Sequence, residues 1–319
     1  MILTIFIHLA SSNVLNRNDE RSFVQWMRGT NNFYTGDEYF LRIGIFMTNA
    51  RYVQQHNANP TQKFKLSLNK FSAMTPSEYS SLLGLKPKVI EMTETTKESV
   101  PLPKTDHLDW REKGVVNEVK DQGGCGSCWA FGSVQAMESA SAIINGTLDR
   151  YSEQNLVDCC TMCSGCGGGL VDSAFYFIKY HQKGKVNFES EYPYTATEGT
   201  CEFDDHTQTG ACSSYVTVRM WNEDDLAKKC EEYGPVGCGI DASHASFQLY
   251  SSGIYDEPEC SYSKLNHAVG CVGFGVEGDT KYWIVRNSWG PGWGEAGYIR
   301  MIWLNNQCGI ATIAYIPVP

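Results

Sequence analysis

The chain lacks the features that direct a protein into a membrane or onto nucleic acid. Beyond the first ten residues, no apolar run approaches the roughly 20 residues of a membrane-spanning helix, so we expect no membrane partner. Positive charge is in the minority, with 26 Lys and Arg against 36 Asp and Glu and a formal net charge of −10. This acidic balance argues against a nucleic-acid partner. A phosphate-binding loop is missing too, because Gly273-Phe-Gly275 is only a glycine-containing strand end.

What the chain does contain is enough apolar surface for a packed core, and many cysteines. Its 319 residues are 42% hydrophobic and 12% aromatic, which predicts a globular body with additional segments. Thirteen cysteines are many for a reducing compartment and favour an oxidising one. Because the count is odd, one cysteine is left over after full pairing.

The first residues have the composition of a short signal peptide. They are apolar apart from Thr4 and His8, and Ala10-Ser-Ser12 offers the small residues of a signal-peptidase site. The usual basic n-region is missing, and a buried N-terminal strand is the alternative. We predict a signal peptide over residues 1–12 and hence a secretory route that ends in a lysosome-like acidic compartment or outside the cell.

Charge divides the chain into a basic N-terminal portion and an acidic remainder. Residues 1–104 carry 12 Lys and Arg against 8 Asp and Glu, a net charge of +4, which leaves −14 for the rest. The opposite signs suggest two parts that attract each other, although ordinary solvated surface charge is the alternative. If attraction holds the parts together, protonation of carboxylates at acid pH weakens it, and high salt partly mimics acid.

A long amphipathic helix is predicted in the N-terminal portion. Six residues recur there at steps of three or four, which places them along one side of a helix: Glu38, Arg42, Phe46, Asn49, Val53 and Asn57. Glu38 and Arg42 are spaced for an i,i+4 ion pair. Residues 86–104 then combine Pro, Lys, Thr, Glu and Ser without hydrophobic periodicity, a pattern typical of an extended linker.

The stretch Gln122-Gly-Gly-Cys125-Gly-Ser-Cys128-Trp-Ala-Phe places a thiol at the start of a predicted helix. The unpaired N–H groups and positive dipole end of a helix start favour a thiolate, so Cys128 is a candidate nucleophile. Apolar residues follow at helical spacing as far as Ile144, and Asn145-Gly146 suits a left-handed C-terminal cap.

The remaining patterns predict one further helix and then strands. The helix is expected over residues 169–179. Five later segments have strand patterns: 215–220, 236–240, 267–273, 282–286 and 298–302. Helices first and strands later predict an α+β molecule of two lobes.

A nucleophilic cysteine needs a base, and His267 is the candidate. It begins an apolar strand in Asn-His267-Ala-Val-Gly, 139 residues after Cys128. Asn287, in Asn287-Ser-Trp289-Gly-Pro-Gly-Trp-Gly, offers a carboxamide oxygen that would accept from the imidazole and fix the ring, while the indoles exclude water. A lone histidine on a strand is more often structural, so the catalytic interpretation depends on the three motifs occurring together.

Two alternative chemistries share these cysteines. Cys125-Gly-Ser-Cys128 is a Cys-x-x-Cys motif, which in isolation suggests a thiol–disulfide oxidoreductase that cycles the two thiols. A cysteine nucleophile that acts with His267 would instead leave Cys128 free. Cys160-x2-Cys163-x2-Cys166 has a spacing compatible with metal ligands. A non-catalytic binding protein is disfavoured, because the candidate catalytic residues are all present.

Several motifs, in order, resemble the papain and cathepsin L family of cysteine peptidases. They are the stretch around Cys128, Ser152-Glu-Gln-Asn-Leu-Val-Asp-Cys159, Gly165-Cys-Gly-Gly-Gly169, Asn287-Ser-Trp-Gly and Cys308-Gly-Ile-Ala. The helical series and Leu68-Asn-Lys-Phe71 resemble the propeptide motifs of that family. Val53 stands where isoleucine is usual. Ser67 and Ala73 replace the usual glycine and aspartate.

The resemblance implies a papain-like two-lobe fold with an N-terminal helical inhibitory propeptide. The helical lobe would span about residues 120–212 and the antiparallel, barrel-like β lobe about 213–319. Residues 13–104 would form the propeptide and its linker, which crosses the active site and is cut near residues 100–106. The peptidase domain would span residues 105–319.

The implied activity is that of a cysteine endopeptidase made as an inactive precursor. Cys128 would attack the scissile carbonyl, His267 would move the proton and Asn287 would orient His267. Gln122 and the Cys128 N–H would form the oxyanion hole. The resemblance implies no cofactor and no metal. Partners would be protein and peptide substrates, the chain's own propeptide and cystatin-like inhibitors, and we expect a monomer.

The resemblance also implies a set of substrate-binding residues: Gly168, Gly169, Leu170, Val171, Gly239, Leu265, Asn266, Ala268, Trp289 and Ile313. Gly169 would pair with the substrate P2 residue in a short antiparallel ladder. The apolar or small lining predicts Leu, Val or Phe at P2, and Ile313, in place of an acid, argues against Arg. No His-His insertion occludes the cleft, which favours endopeptidase activity over dipeptide trimming.

By the same resemblance three disulfides are implied, Cys125–Cys166, Cys159–Cys201 and Cys260–Cys308, with Cys128 free. The pairing of six others stays open: Cys160, Cys163, Cys212, Cys230, Cys238 and Cys271. Asn145-Gly-Thr147 is a glycosylation sequon at a predicted helix end, although turn chemistry explains Asn-Gly equally well.

Overall fold

The computed structural model describes residues 17–86 and 100–319. The predicted signal peptide and residues 87–99 of the predicted linker lie outside these ranges. The α-helices are α1 Arg17–Gly29, α2 Gly36–Ala58, α3 Pro76–Leu82, α4 Cys128–Asn145, α5 Glu153–Cys159, α6 Val171–His181, α7 Glu223–Tyr233 and α8 Ala245–Gln248. The strands are β1 Phe64–Leu66, β2 Leu108–Asp109, β3 Lys185–Asn187, β4 Gln208–Gly210, β5 Ser214–Thr217, β6 Val236–Ile240, β7 Tyr250–Tyr255, β8 His267–Glu277, β9 Thr280–Arg286, β10 Tyr298–Ile302 and β11 Ala314–Val318.

One large sheet organises the C-terminal lobe. Its order is β1-β7-β10-β9-β8-β6-β11-β5, and β2 pairs with β8. The neighbours are antiparallel except β7 and β10, which are parallel. Strand β1 comes from the N-terminal portion, with Phe64 opposite Gly253. The N-terminal portion therefore extends the sheet of the body at its edge.

Helix α4 is the central element of the other lobe. Every residue from Cys128 to Ala142 is buried, because small and apolar side chains on all sides let the helix pack against α5, α6 and the strands β6, β8 and β11. The helix ends as predicted, with Gly146 in a left-handed conformation at φ +76°. Ile144, which the sequence pattern placed on the buried face, is exposed because the last turn extends beyond the core.

The N-terminal helices form a small unit with its own core. Helices α1 and α2 pack through Phe23, Met27, Ile43 and Phe46, with Ala73 beside them. Aromatic rings dominate these contacts; Phe23 and Phe46 have centroids 5.3 Å apart. The N-terminal helices therefore share an apolar core that is separate from those of the two lobes.

The polar residues of the predicted helical series lie on α2 and bond the neighbouring segments of the N-terminal portion. Arg42 pairs with Glu38 at 3.2 Å, as the spacing predicts, and also with Glu78 at the start of α3. Asn49 Nδ2 donates to the Ser72 carbonyl over 2.9 Å. Asn57 bonds both backbone groups of Leu66, at 2.8 and 3.0 Å. Phe46 is buried in the helical core, and Val53 packs against the core of the β lobe.

Some boundaries differ from the sequence patterns. The second predicted helix begins at Val171 and not at residue 169, because Leu170 is extended and Gly169 forms a backbone bridge with Leu85. Strand patterns identified β5, β6, β8, β9 and β10, whereas α7, α8, β7 and β11 of the β lobe were not predicted. Among the described residues, no helix combines the length and apolarity needed to cross a membrane.

Candidate active site

Cys128 is the first residue of α4 and ends a tight turn that begins at Gln122. The Cys125–Cys166 disulfide fixes the middle of this turn to the loop before α6. Gly123 has φ +60°, a conformation that favours glycine. The Cys128 side chain is fully buried, and the N–H of Trp129 in the first helical turn bonds its sulfur. The predicted nucleophile therefore has the helix-start environment that the sequence indicated.

His267 and Asn287 meet because β8 and β9 are paired antiparallel. His267 begins β8, and Asn287 follows the last residue of β9. His267 Nε2 lies 2.8 Å from Asn287 Oδ1, which also accepts from the Ser288 N–H at 2.8 Å. An amide oxygen only accepts, so Nε2 carries the proton. The Trp289 ring lies 4.8 Å from the imidazole centroid and covers this bond.

His267 and Cys128 lie on neighbouring elements, because β8 packs against α4. The Ala268 N–H donates to Cys128 Sγ over 3.4 Å, so the residue next to His267 touches the candidate nucleophile. Because Nε2 is bonded to Asn287, the other ring nitrogen, Nδ1, is left over. It has no hydrogen-bond partner within residues 17–86 and 100–319. Nδ1 is therefore the atom available to exchange a proton with Cys128.

Burial keeps both groups neutral in this state of the protein. It raises the pKa of the Cys128 thiol to about 11, although the backbone N–H groups of Ala268, Gly84 and Trp129 act in the opposite direction. Burial also lowers the pKa of His267 to about 4, against the bond to Asn287. This state therefore holds a neutral thiol and a neutral imidazole, because the N-terminal portion removes the water that would solvate both charges.

Gln122 presents an amide donor beside the nucleophile. Its Nε2 donates to the carbonyl oxygens of Leu82 and Cys125, each at 2.9 Å. Its Oε1 accepts from Ser288 Oγ at 2.6 Å, which fixes the amide orientation. A carbonyl of the N-terminal portion thus already bonds the donor that the sequence assigned to the oxyanion hole.

Residues 82–86, here called the cleft segment, fill the groove between the lobes. Gly169 donates its N–H to Gly84 O at 2.9 Å, Lys86 donates to Gly169 O at 3.3 Å, and Leu85 donates to Asn266 O at 3.0 Å. Leu85 and Gly169 form a parallel bridge. Since the substrate ladder is expected to be antiparallel, the cleft segment runs in the opposite direction to the expected substrate.

The crossing point lies upstream of where the sequence placed it. The linker of residues 86–104 was expected to cross the active site, but the cleft segment does so directly after α3. Gly84 makes this approach possible, because a Cβ built on it would lie 1.7 Å from the Gly126 carbonyl oxygen. On Gly168, a Cβ would lie 2.5 Å from Gly84 O. Backbone therefore packs directly on backbone above the turn.

Most of the predicted substrate-binding residues come together around one side chain, that of Leu85. It is buried in a cluster with Val171, Leu265, Ala268 and Ile313, and Leu170 packs against the same cluster. Gly239 opens the pocket, because a Cβ there would lie 2.7 Å from Leu85 Cδ2. The structure thus brings this group together as an apolar pocket.

Two residues of the predicted set lie elsewhere. Asn266 contributes its backbone carbonyl to the cleft, while its side chain bonds Ala242 N at 2.9 Å. Trp289 packs on His267 and, on its other side, on Phe71 and Tyr79 of the N-terminal portion. Neither side chain lines the pocket around Leu85.

The cysteines are distributed as the resemblance implied, with one addition. Disulfides join Cys125–Cys166, Cys159–Cys201 and Cys260–Cys308, and a fourth joins Cys160–Cys163. The described residues leave five cysteines free and buried: Cys128, Cys212, Cys230, Cys238 and Cys271.

This pairing bears on the alternative chemistries. Cys125 is bonded away from Cys128, so the Cys-x-x-Cys motif is not a redox pair here. The possible ligand series from Cys160 to Cys166 is consumed by disulfides. Asp241, His244 and Cys260 also lie close together, but Cys260 is bonded to Cys308 and cannot offer a thiolate.

Sequence reasoning missed three participants. The sequence Leu83-Gly84-Leu85 precedes the predicted linker and has no periodicity that signals a contact. Ser288, next to Asn287, orients Gln122, and only the juxtaposition of the two lobes shows this. Tyr194 hydrogen-bonds both Ser127 and Gln122.

The sequon residue Asn145 is exposed at the end of α4, where its glycosylation stays a prediction.

A free thiol at a helix start, an Asn-oriented histidine and an N-terminal unit that fills the cleft define the precursor of a cysteine peptidase. Known proteins agree with this class. The papain family cysteine protease pattern matches residues 104–318, and the cathepsin propeptide inhibitor domain matches residues 23–79. The chain therefore belongs to the papain family.

Its relatives narrow the group. Cathepsin L of Sarcophaga peregrina is 41% identical over 304 residues, covering 90% of this chain and 88% of that protein. Digestive cysteine proteinase 2 of Homarus americanus is 40% identical over 296 residues, 90% of either chain. Digestive procathepsin L 3 of Tenebrio molitor larval midgut superposes with a TM-score of 0.84 at 35% identity, over 94% of this chain and 99% of that one.

The chain is thus a cathepsin L-like cysteine endopeptidase precursor with a papain-like fold, and not an oxidoreductase. Its N-terminal portion is an inhibitory propeptide that acts within the same molecule, and its substrates are peptides. As a cathepsin L-like precursor it is a protein of the secretory route.

Proposed function

We propose that Cys128, His267, Asn287 and Gln122 carry out peptide-bond hydrolysis once the propeptide has left the cleft. The observation that carries this proposal is the bond of His267 Nε2 to Asn287. It leaves Nδ1 as the proton-exchanging atom next to a thiol at a helix start. A Cys–His mechanism requires this arrangement, in which one ring nitrogen is held by the orienting amide and the other exchanges a proton with the thiol.

Removal of the cleft segment changes the charge state of the pair. Water reaches Cys128 and His267, so the burial that keeps both neutral is reduced. The first-turn N–H groups of α4 then favour the thiolate, and the proton moves to His267 Nδ1. An ion pair forms in the mature enzyme that the precursor does not have.

The reaction then follows from these groups. The Cys128 thiolate adds to the scissile carbonyl carbon, and the carbonyl π electrons move to oxygen. Gln122 Nε2 and the Cys128 N–H stabilise this oxyanion. Imidazolium protonates the leaving amine as the C–N bond breaks, giving the acyl-enzyme. Neutral His267 then takes a proton from water, whose oxygen attacks the acyl carbon and releases the acid and the thiolate.

Leu85 supports an apolar preference at P2. The propeptide places this leucine in the pocket that Gly239, Leu265 and Ile313 border, and burying a leucine contributes about 1.5–3 kcal/mol. We expect P2 Leu to be cleaved about 10–100-fold faster than P2 Arg, because no carboxylate at Ile313 compensates an arginine. A P2-varied peptide library measures this ratio, and equal cleavage of the two would contradict the pocket assignment.

We also propose how the precursor is organised and where it works. Residues 105–319 form the peptidase, and cleavage falls near residues 100–106. The destination is a lysosome-like acidic compartment or the exterior, and the mature enzyme is a monomer open to cystatin-like inhibitors. Supporting this, residues 87–103 lie in the sequence between the cleft segment and the start of the papain-family match at residue 104.

Acid incubation of the full-length precursor tests the proposed function. N-terminal sequencing identifies the cleavage site, and a thiol-directed epoxide labels the active thiol. Cys128→Ala is expected to abolish both peptidase activity and labelling. Cys212→Ala is the matched control, because Cys212 is another free, buried thiol, and this variant is expected to keep both. Activity that survives in Cys128→Ala would overturn the proposal.

A further inference from the structure

A chain of hydroxyl groups ties the two ends of the active-site turn together. Tyr194 OH lies 2.8 Å from the Gln122 carbonyl oxygen and 2.6 Å from Ser127 Oγ. The carbonyl only accepts, so the tyrosine gives it its one proton, and Ser127 must donate to the tyrosine oxygen. The chain therefore runs from Ser127 through Tyr194 to Gln122.

The two ends of this chain are the residues that place the oxyanion-hole donors. Gln122 carries the side-chain donor, and its backbone is also held by the Ser288 carbonyl, which accepts the Gln122 N–H at 2.8 Å. Ser127 immediately precedes Cys128, whose N–H is the second donor. Within the turn, the Gln122 side chain bonds the Cys125 carbonyl and the Cys125–Cys166 disulfide fixes its middle, but neither contact reaches Ser127.

Ser127 makes this contact in place of the capping hydrogen bond that is usual at its position. It is the N-cap residue of α4 and is fully buried, yet its side chain forms no capping bond. A serine at this position ordinarily accepts from an N–H of the first helical turn. Here the Ser127 hydroxyl bonds Tyr194 instead, and the Trp129 N–H is directed at the Cys128 sulfur.

Tyr194 is itself held firmly enough to act as a brace. Its ring packs edge-on against Phe131 in α4, with centroids 4.9 Å apart. The following residue, Thr195, donates its N–H to Gln154 Oε1 at 2.9 Å. Burial raises the pKa of Tyr194 to about 12, so its hydroxyl stays protonated over the working pH range of a peptidase.

We propose that Tyr194 is a positioning residue of the oxyanion hole, which sets the separation of the Gln122 and Cys128 donors by bridging Ser127 and Gln122. The inference rests on the proposed function of those donors. Tyr194 does not touch substrate. Its effect is expected in the tetrahedral state, where the donors act, and not in substrate binding.

Tyr194→Phe in the acid-matured enzyme tests this assignment. Loss of a whole oxyanion donor costs about 100–1000-fold in kcat, so misplacement of intact donors is expected to lower kcat by about tenfold, with KM changed less than about twofold. A peptide aldehyde, which Cys128 converts to a tetrahedral adduct with oxygen in the hole, should bind about tenfold more weakly. Ser127→Ala breaks one link only and should lower kcat by about threefold.

Tyr192→Phe is the matched control, because Tyr192 lies in the same loop but donates to Asp158 Oδ2 at 2.8 Å, away from the turn. It is expected to lower thermal stability without changing kcat or aldehyde affinity. Unchanged kcat and aldehyde affinity in Tyr194→Phe would overturn the inference, as would an equal loss in Tyr192→Phe. An inactive parent enzyme would overturn the proposed function itself, which separates the two failures.

Discussion

The propeptide contacts the peptidase in two regions that differ in chemistry. The cleft segment covers the active site through backbone hydrogen bonds and a glycine, and it places the Leu85 side chain in the apolar pocket that Gly239 and Leu265 border. The second region, here called the docking surface, consists of Phe71 and Tyr79 of the propeptide packed against Trp289. The ring centroids of Phe71 and Tyr79 lie 5.0 and 5.8 Å from that of Trp289, respectively.

The two regions therefore have different roles: the cleft segment occupies the active site, and the docking surface attaches the propeptide to the peptidase. Aromatic burial contributes several kcal/mol and holds the propeptide in place, whereas the cleft segment needs little affinity of its own. Charge adds little to either region. The ion pairs Lys63–Asp256 and Lys70–Asp121 join propeptide and body at the surface, where such pairs contribute about 0–1 kcal/mol. Attraction between a basic propeptide and an acidic body stays a prediction, because these two surface ion pairs contribute little to it.

Phe71→Ala should have the largest effect, because it empties the docking surface. Removing a buried phenylalanine costs about 3–5 kcal/mol, so the propeptide should detach at a lower urea concentration, followed by labelling of Cys128 at neutral pH. Phe40→Ala is the control, because Phe40 is 66% exposed. If both variants detach at the urea concentration of the parent, the docking surface does not hold the propeptide.

Gly84→Ala should act on the cleft segment alone. A Cβ there meets the Gly126 carbonyl oxygen at 1.7 Å, and overpacking of this kind costs about 1–3 kcal/mol or more. We expect Cys128 in the full-length precursor to be labelled up to about 100-fold faster at neutral pH without urea. Gly44→Ala on α2, where a Cβ meets nothing within 4 Å, should behave as the parent. Equal labelling of the two variants would show that the cleft segment tolerates a side chain.

Glu78→Gln tests whether the propeptide fold is itself the acid trigger. Arg42 lowers the pKa of Glu78 to about 2 from its ordinary 4.5. A carboxylate with a lowered pKa stabilises the fold above 4.5 and loses that effect only as the pH falls toward 2. The variant should therefore destabilise the precursor by about 1 kcal/mol equally at pH 7 and pH 5, with the difference from the parent vanishing near pH 2.

Thermal unfolding of parent and variant at the three pH values measures this difference. Glu38→Gln, which removes the weaker partner of Arg42, is the control and should have a smaller effect. A stabilising contribution of Glu78 that disappears between pH 5 and pH 4 would make this ion pair the trigger and contradict the lowered pKa.

Salt should have the smallest effect. Exposed pairs such as Lys63–Asp256 are screened at high ionic strength, so raising salt at neutral pH should speed Cys128 labelling in the precursor by about twofold at most. Labelling rates at low and high salt measure it. A salt effect as large as that of acid would show that long-range charge, and not burial, holds the two parts together.

The catalytic residues could be named from the sequence because each stands in a local motif. The Cys128 turn, the strand of His267 and the Asn287–Trp289 stretch each carry their signal within a few neighbouring residues. The helix of the propeptide was predictable for the same reason, since Glu38 to Asn57 repeat at a helical period.

What the sequence could not provide were contacts between distant segments. Glu78 belongs to none of the motifs found in the sequence, yet it is the main partner of Arg42, which lies 36 residues away. The cleft segment has no periodicity, and its position follows from where α3 ends. The neutral charge state of Cys128 and His267 was also beyond sequence reasoning, because it arises from burial under Gly84 and Leu85.

The pH dependence of Cys128 alkylation tests the central claim most directly. Short exposures to a haloacetamide, with the Cys128 peptide quantified by mass spectrometry, are compared between the full-length precursor and the acid-matured enzyme. We predict that the precursor is alkylated far more slowly than the mature enzyme at neutral pH, because its Cys128 thiol is buried and burial raises the pKa of that thiol to about 11, whereas the mature enzyme reacts well below the ordinary thiol pKa of about 8.5. The same pH profile in both forms would contradict the account.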